Sequence, residues 1–205
     1  MFDAKLKPAI EPCLIQLGKI CMRYRLNANT LTLIGFGIGL CCGALICVKA
    51  YGWALGALLL SRLCDGLDGA VARLTQPTDF GGYLDIICDF LFYAFVPFCF
   101  AISHPDQAGA AAFLMLSFVG TGSSFLAYAI LDAKLRVAGK CEPKKTKSFA
   151  YLGGLTEGTE TIFIFVLILF YPAYFSVIAV IFGLLCWFTT GYRVYVTWVE
   201  FGKGS

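Results

Sequence analysis

Residues 63–90 read LCDGLDGAVARLTQPTDFGGYLDIICDF. Five of the chain's 13 acidic residues fall in this stretch: Asp65, Asp68, Asp79, Asp85 and Asp89. Asp65 and Asp68 are three apart, and Asp85 and Asp89 are four apart, so each pair shares one helix face. The turn around Pro77 brings the two helices together antiparallel. Four carboxylates then converge at one end of a helix pair. Asp79 falls in the connecting turn and reads as a solvated residue.

The setting makes these charges costly. The chain has 205 residues, 59% of them hydrophobic and only 14% charged, with a mean hydropathy of +0.78. An ordinary soluble domain is about 25% charged. This composition excludes a water-soluble globule, a disordered chain and a nucleic-acid-binding module. A charge inside a membrane span costs on the order of 2.5–3.5 kcal/mol on insertion scales, so such residues usually serve function.

A spanning helix needs about 20 apolar residues. Apolar runs place spans at about 30–48, 51–73, 82–102, 108–131, 154–170 and 173–199, with Pro172 separating the last two. Ser103-His104-Pro105-Asp106 turns the chain after span 3. Before span 1, Leu6, Ile10, Leu14, Leu17 and Ile20 alternate with Lys and Arg, the pattern of an amphipathic helix lying in the interface. The charge interrupting this arm argues against a cleavable signal. The expected fold is therefore all-α and polytopic, with six transmembrane helices preceded by that interfacial helix. Residues 1–25 form the interfacial helix, 26–200 the membrane domain and 201–205 a tail.

Basic residues set the orientation. Lys5, Lys7, Lys19, Arg23 and Arg25 lie in the N-terminal arm. Lys134, Arg136, Lys140, Lys144, Lys145 and Lys147 lie in the loop after span 4, whereas the opposite side has only Lys49. Both ends and the acidic stretch are expected on the cytoplasmic side. The ten Cys are scattered through apolar runs with no CxxC pair, and read as small hydrophobes.

Four ionised carboxylates cannot sit together without cations. An all-oxygen cluster suits hard divalent ions such as Mg²⁺ or Mn²⁺. Two such ions about 3.5–4 Å apart are a recurrent arrangement for displacement at phosphorus. Arg73 would place a fixed positive charge over a phosphate, and Gly66 and Gly69 leave room for a ligand or a neighbouring helix. Two other readings of the window remain. One is a set of intramembrane ion pairs, for which only Arg62 and Arg73 are available. The other is an ion or proton-coupled transporter lined by Asp.

The spacing resembles the CDP-alcohol phosphatidyltransferase family pattern, D-x2-D-G-x2-A-R followed by G-x3-D-x3-D. Asp65, Asp68, Gly69, Ala72, Arg73, Gly81, Asp85 and Asp89 fill every fixed position. Residues 27–32, Asn-Ala-Asn-Thr-Leu-Thr, are similar to the family's usual entry to span 1, with Ala28 where Pro is common. GTGSSFLA (120–127) and KSFAYLGGLTEGTET (147–161) resemble the small YnjF-type branch of bacterial inner-membrane proteins, a branch that supplies no acceptor.

The resemblance implies a multi-pass inner-membrane phosphotransferase of phospholipid biosynthesis, a homodimer. Asp65, Asp68, Asp85 and Asp89 would hold two Mg²⁺ or Mn²⁺ ions, and Asp89 would also act as the base. Asn29, Asp65, Gly69, Ala72, Arg73 and Gly81 would bind the CDP part of CDP-diacylglycerol or another CDP-alcohol. An alcohol acceptor would attack the β-phosphorus and release CMP. A donor resembling CDP-choline, with diacylglycerol as acceptor, is a variant of the same reaction. Candidate acceptor contacts are Lys134, Arg136, Lys147, Glu157, Glu160 and Arg193. Their plainer readings are the positive-inside rule for the lysines, the helix dipole for the two acids, and snorkelling for Arg193.

Overall fold

The computed structural model describes residues 3–137, 156 and 158–202. Among the described residues seven α-helices follow one another: α1 (Asp3–Arg23), α2 (Ala28–Cys47), α3 (Tyr51–Leu74), α4 (Asp79–Ser103), α5 (Ala108–Val137), α6 (Gly158–Phe170) and α7 (Phe175–Phe201). Short 3₁₀ turns at Pro105–Gln107 and Pro172–Tyr174 join α4 to α5 and α6 to α7. There is no strand among the described residues.

Among the described residues four stretches are long and apolar enough to cross a membrane: Ala28–Cys47, Asp79–Ser103, Pro105–Lys134 and Pro172–Phe201. The other two expected spans fall short for different reasons, α3 through its charges and α6 through its length. Helix α3 has the length, 24 residues, but carries Arg62, Asp65, Asp68 and Arg73. Helix α6 has only 13 residues in the described chain. It begins at Gly158, so the expected start near residue 154 lies outside the described residues. Large apolar side chains such as Leu33, Leu59, Leu91, Phe163, Ile181 and Phe188 are exposed, a surface suited to lipid.

Helices α2, α3 and α4 pack as one group, and α5 packs on α4 and α7. Close approach depends on small residues. A Cβ on Gly35 would lie 2.9 Å from the Cys64 Cβ and 3.2 Å from the Ser61 carbonyl oxygen, so α2 and α3 meet nearly backbone to backbone. The core between the helices is aromatic, with Phe92, Phe100, Phe165 and Phe175 fully buried. Phe100 and Phe175 stack at 4.3 Å. At the same end the Tyr51 hydroxyl meets His104 Nε2 at 3.2 Å, and Ser176 donates to Gln107. The turns after α2, α4 and α6 therefore gather at one end of the bundle.

The opposite end holds the acidic stretch. Helix α1 docks there against α3. Leu14 packs over Gly66, and Gly18 faces Ala70, Val71 and Leu74. Leu31, Leu67 and Val71 form a small buried cluster with Leu14 and Leu17. The chain leaves α1 through Arg25 at φ 59°, with Leu26 N–H donating to the Cys21 carbonyl and Arg25 N–H to that of Met22. This is a Schellman ending, which turns the chain directly into α2.

Candidate active site

Capping chemistry fixes the two helices that start at this end. Asn27 Oδ1 accepts from the backbone N–H of Thr30 at 2.8 Å and so caps α2. With Asn27 in that role, Asn29 is free to face α4, where its Oδ1 would lie 3.0 Å from a Cβ on Gly81. Thr78 caps α4 by accepting from Gly81 N–H at 3.0 Å. Asp79 falls in the first turn of α4 rather than in the connecting turn. A carboxylate is favoured there by the helix dipole.

Three of the four expected carboxylates meet. Asp65, Asp85 and Asp89, each half-buried, offer oxygens that lie within 4.8 Å of one another. Asp68 is held differently. It is buried at 6% exposure and accepts a 2.6 Å hydrogen bond from the Thr32 hydroxyl. Asp68 and Asp85 line a cleft of about 390 Å³ together with Asn29, Gly69, Ala72 and Gly81. That volume is in the range of small-molecule sites. Asp85 thus belongs both to the carboxylate trio and to the cleft wall. The trio is an all-oxygen donor set drawn from two helices, which fits a hard divalent cation.

The expected nucleotide contacts divide. Asn29, Gly69, Ala72 and Gly81 line the cleft. Asp65 sits in the trio. Arg73 stands at the edge. Its Nη1 lies 3.4 Å from the place of a Cβ on Gly69, while its Nε pairs with Glu11 of α1 at 3.5 Å.

Arg62 carries the ion-pair reading further than the sequence suggested. Its Nη1 donates to Asp89 Oδ1 at 2.7 Å and to Asp65 Oδ1 at 3.3 Å, linking α3 to α4. Its guanidinium lies over the Phe92 ring, 4.7 Å from the centroid. The Tyr93 hydroxyl donates to the other Asp89 oxygen at 3.3 Å. Arg62, already available to the ion-pair reading, stands one helical turn before Asp65, and Tyr93 stands one turn after Asp89, so spacing alone could have flagged Tyr93 as well. Thr32 closes the segment 27–32 and was equally open to that reading.

The expected acceptor residues are more dispersed. Lys147 and Glu157 lie outside the described residues. Lys134 is exposed near the end of α5, where Arg136 also falls. Glu160 is in the first turn of α6. Arg193 does not snorkel outward. It is buried at 7% exposure, donates to the Thr121 carbonyl at 2.9 Å and lies over the Phe125 ring, tying α7 to α5.

The family model for CDP-alcohol phosphatidyltransferases matches residues 25–199. Inner membrane protein YnjF of Escherichia coli (strain K12) is 50% identical over 196 residues, 95% of this chain and 94% of its own. Archaetidylinositol phosphate synthase of Pyrococcus horikoshii is 28% identical over 193 residues, 94% of each chain. The structure of Mycobacterium tuberculosis phosphatidylinositol phosphate synthase with CDP-DAG bound has the same fold. Its TM-score is 0.69 at 18% identity, over 90% of this chain and 93% of that one. With its eight motif positions filled, the cluster built on α3 and α4, and the family match running almost end to end, the chain belongs to the CDP-alcohol phosphatidyltransferase family.

Proposed function

We propose that the chain transfers a phosphatidyl group from CDP-diacylglycerol to an alcohol, with release of CMP, in phospholipid biosynthesis. The observation that carries this reading is the carboxylate trio Asp65, Asp85 and Asp89 opening, through Asp85, onto a cleft lined by Asn29, Gly69, Ala72 and Gly81. Asp65, Asp68, Asp85 and Asp89 would hold the divalent ions, Mg²⁺ or Mn²⁺, two in the full reading. Bound there, such ions neutralise phosphate charge and stabilise the departing phosphate.

The chain's own residues do the rest. Gly69 and Gly81 leave the cleft wall without side chains, so a nucleotide diphosphate can approach the backbone. Arg73 leaves Glu11 to meet a donor phosphate, an exchange that costs little because the pair is half-exposed. Asp89 takes the proton of the acceptor hydroxyl as its oxygen bonds to the β-phosphorus. The bond from that phosphorus to the bridging oxygen breaks, and CMP leaves with the electron pair.

In this reading α3 and α6 complete six membrane helices in the bacterial inner membrane. The α1 helix lies in the interface, and the site and both ends face the cytoplasm. Two copies form the working unit. Against a transporter stands the placement of the acids: they form one cluster on two adjacent helices instead of lining the membrane depth.

The test is CMP release by purified protein given CDP-diacylglycerol, Mg²⁺ or Mn²⁺ and a panel of alcohols. Inositol phosphate heads the panel because two similar proteins carry it in the names of their products. Metal-dependent CMP release is expected, and Asp89→Asn should lower it by roughly 10²–10⁴-fold. Full activity in Asp89→Asn removes Asp89 as the base. Metal binding without binding of any CDP-alcohol would favour the transporter.

A further inference from the structure

We propose that Arg62 is the resident counter-ion of the carboxylate cluster: a positioning residue that holds Asp65 to Asp89 and competes with a divalent cation for them. The inference rests on the metal-site reading above. Arg62 lies outside the eight motif positions, so nothing in that pattern assigns it a role.

The geometry is specific. One nitrogen, Nη1, bridges carboxylates from two helices, at 2.7 Å to Asp89 and 3.3 Å to Asp65. Nη2 donates to Ser61 Oγ at 3.2 Å, and that hydroxyl donates to the Gly35 carbonyl at 2.7 Å. Phe92 supplies an aromatic face. Yet Nε is buried and finds no hydrogen-bond partner among the described residues. A purely structural buried arginine usually satisfies all its donors. Here the position is dictated by the two carboxylates and the ring, at the expense of one donor.

The same Asp65 and Asp89 carboxylates belong to the trio that fits a cation. A guanidinium and a metal ion cannot share the same lone pairs, and their charges repel at this range. Arg62 therefore has two effects of opposite sign. Without metal it offsets repulsion between acids on α3 and α4 and keeps the site assembled. With metal it opposes occupancy, so it sets the concentration at which the site fills and orients Asp89.

The experiment uses the full chain in detergent. Mn²⁺ affinity is measured by titration, and thermal unfolding is followed in chelator and in saturating Mn²⁺, for wild type, Arg62→Gln, Arg62→Lys and Ser61→Ala. Arg62→Gln should bind Mn²⁺ at least tenfold more tightly. It should unfold earlier in chelator and gain more from Mn²⁺ than wild type. Arg62→Lys keeps the charge and should stay within about threefold of wild-type affinity. Ser61→Ala only loosens the guanidinium and should tighten Mn²⁺ binding two- to threefold, which keeps the test open if Arg62→Gln is recovered in neither condition. Recovery of Arg62→Gln only in Mn²⁺ also supports the proposal. Equal or weaker Mn²⁺ binding in Arg62→Gln, or in Ser61→Ala where that variant stands alone, overturns it while leaving the metal site intact. No Mn²⁺ binding by any form overturns both the metal site and the role of Arg62.

Discussion

Asp68 and Asp89 occupy matching places in the motif, yet their carboxylates are held in different ways. Asp68 is buried, with the Thr32 hydroxyl at 2.6 Å. Thr32→Val keeps the shape and removes the donor, leaving a buried carboxylate one partner short. That should cost about 1.5–3 kcal/mol, the range for hydrogen bonds to charged groups. Thermal unfolding in chelator measures it. If Asp68 is also a metal ligand, Mn²⁺ should recover much of the loss. Asp89 is gripped on both oxygens, by Arg62 and by Tyr93. Tyr93→Phe removes the longer bond of the two. A loss of about 0.5–1.5 kcal/mol in transition-state stabilisation lowers CMP release two- to twelvefold. An unchanged rate would show that Tyr93 does not orient Asp89.

At this scale the meeting of Asp65, Asp85 and Asp89 was legible, because spacing on a helix fixes which side chains share a face, whereas the tie of Asp68 to Thr32 was not. Nor were the other partners. Arg62 could have paired within α3 or across to α4, and only the packing angle of the two helices decides that it does both. Arg73 was read as facing a phosphate. It meets Glu11 because α1 lies along α3, a docking that the alternation of residues within α1 does not reveal.

Elements were legible to within a few residues where an end carries its own chemistry. Asn27 and Thr78 cap the starts of α2 and α4. Pro105 and Pro172 open the short 3₁₀ turns. The end of α2 is less conventional. Lys49 sits at φ 60°, with its N–H donating to the Ile46 carbonyl and Ala50 N–H to that of Leu45. This is the left-handed position where Gly is favoured, and a side chain there costs roughly 1–2 kcal/mol. Lys49→Gly should therefore stabilise the protein by about 1 kcal/mol, seen as a higher unfolding temperature. Gly35 works in the opposite direction. Gly35→Ala would drive a methyl against the Cys64 Cβ and the Ser61 carbonyl, neither of which can swing aside. A loss of about 1–3 kcal/mol is expected from overpacking, together with a displaced Arg62, since Ser61 supports it.

For the molecule as a whole, charge asymmetry gives an expected orientation, and the number of crossings depends on α6. Its 13 residues span only about 20 Å, against a hydrocarbon core of about 30 Å. Its start is placed by a contact with α4. The position of a Cβ on Gly158 lies 3.2 Å from the Tyr93 hydroxyl, and Tyr93 is 14 residues, roughly 21 Å, along α4 from Asp79. Helix α6 therefore starts deep beside the site. Six crossings put both ends on one side, whereas five would put them on opposite sides. A fluorescent reporter fused after Ser205 should glow, and a phosphatase that works only outside the cytoplasm should be inactive there. The same phosphatase inserted at Asp106, in the turn after α4, should be active. Activity at both places would mean that α6 turns back without crossing. Lys134, at the end of α5, would stay on the side of the acidic cluster in either case, because α4 and α5 both cross between them.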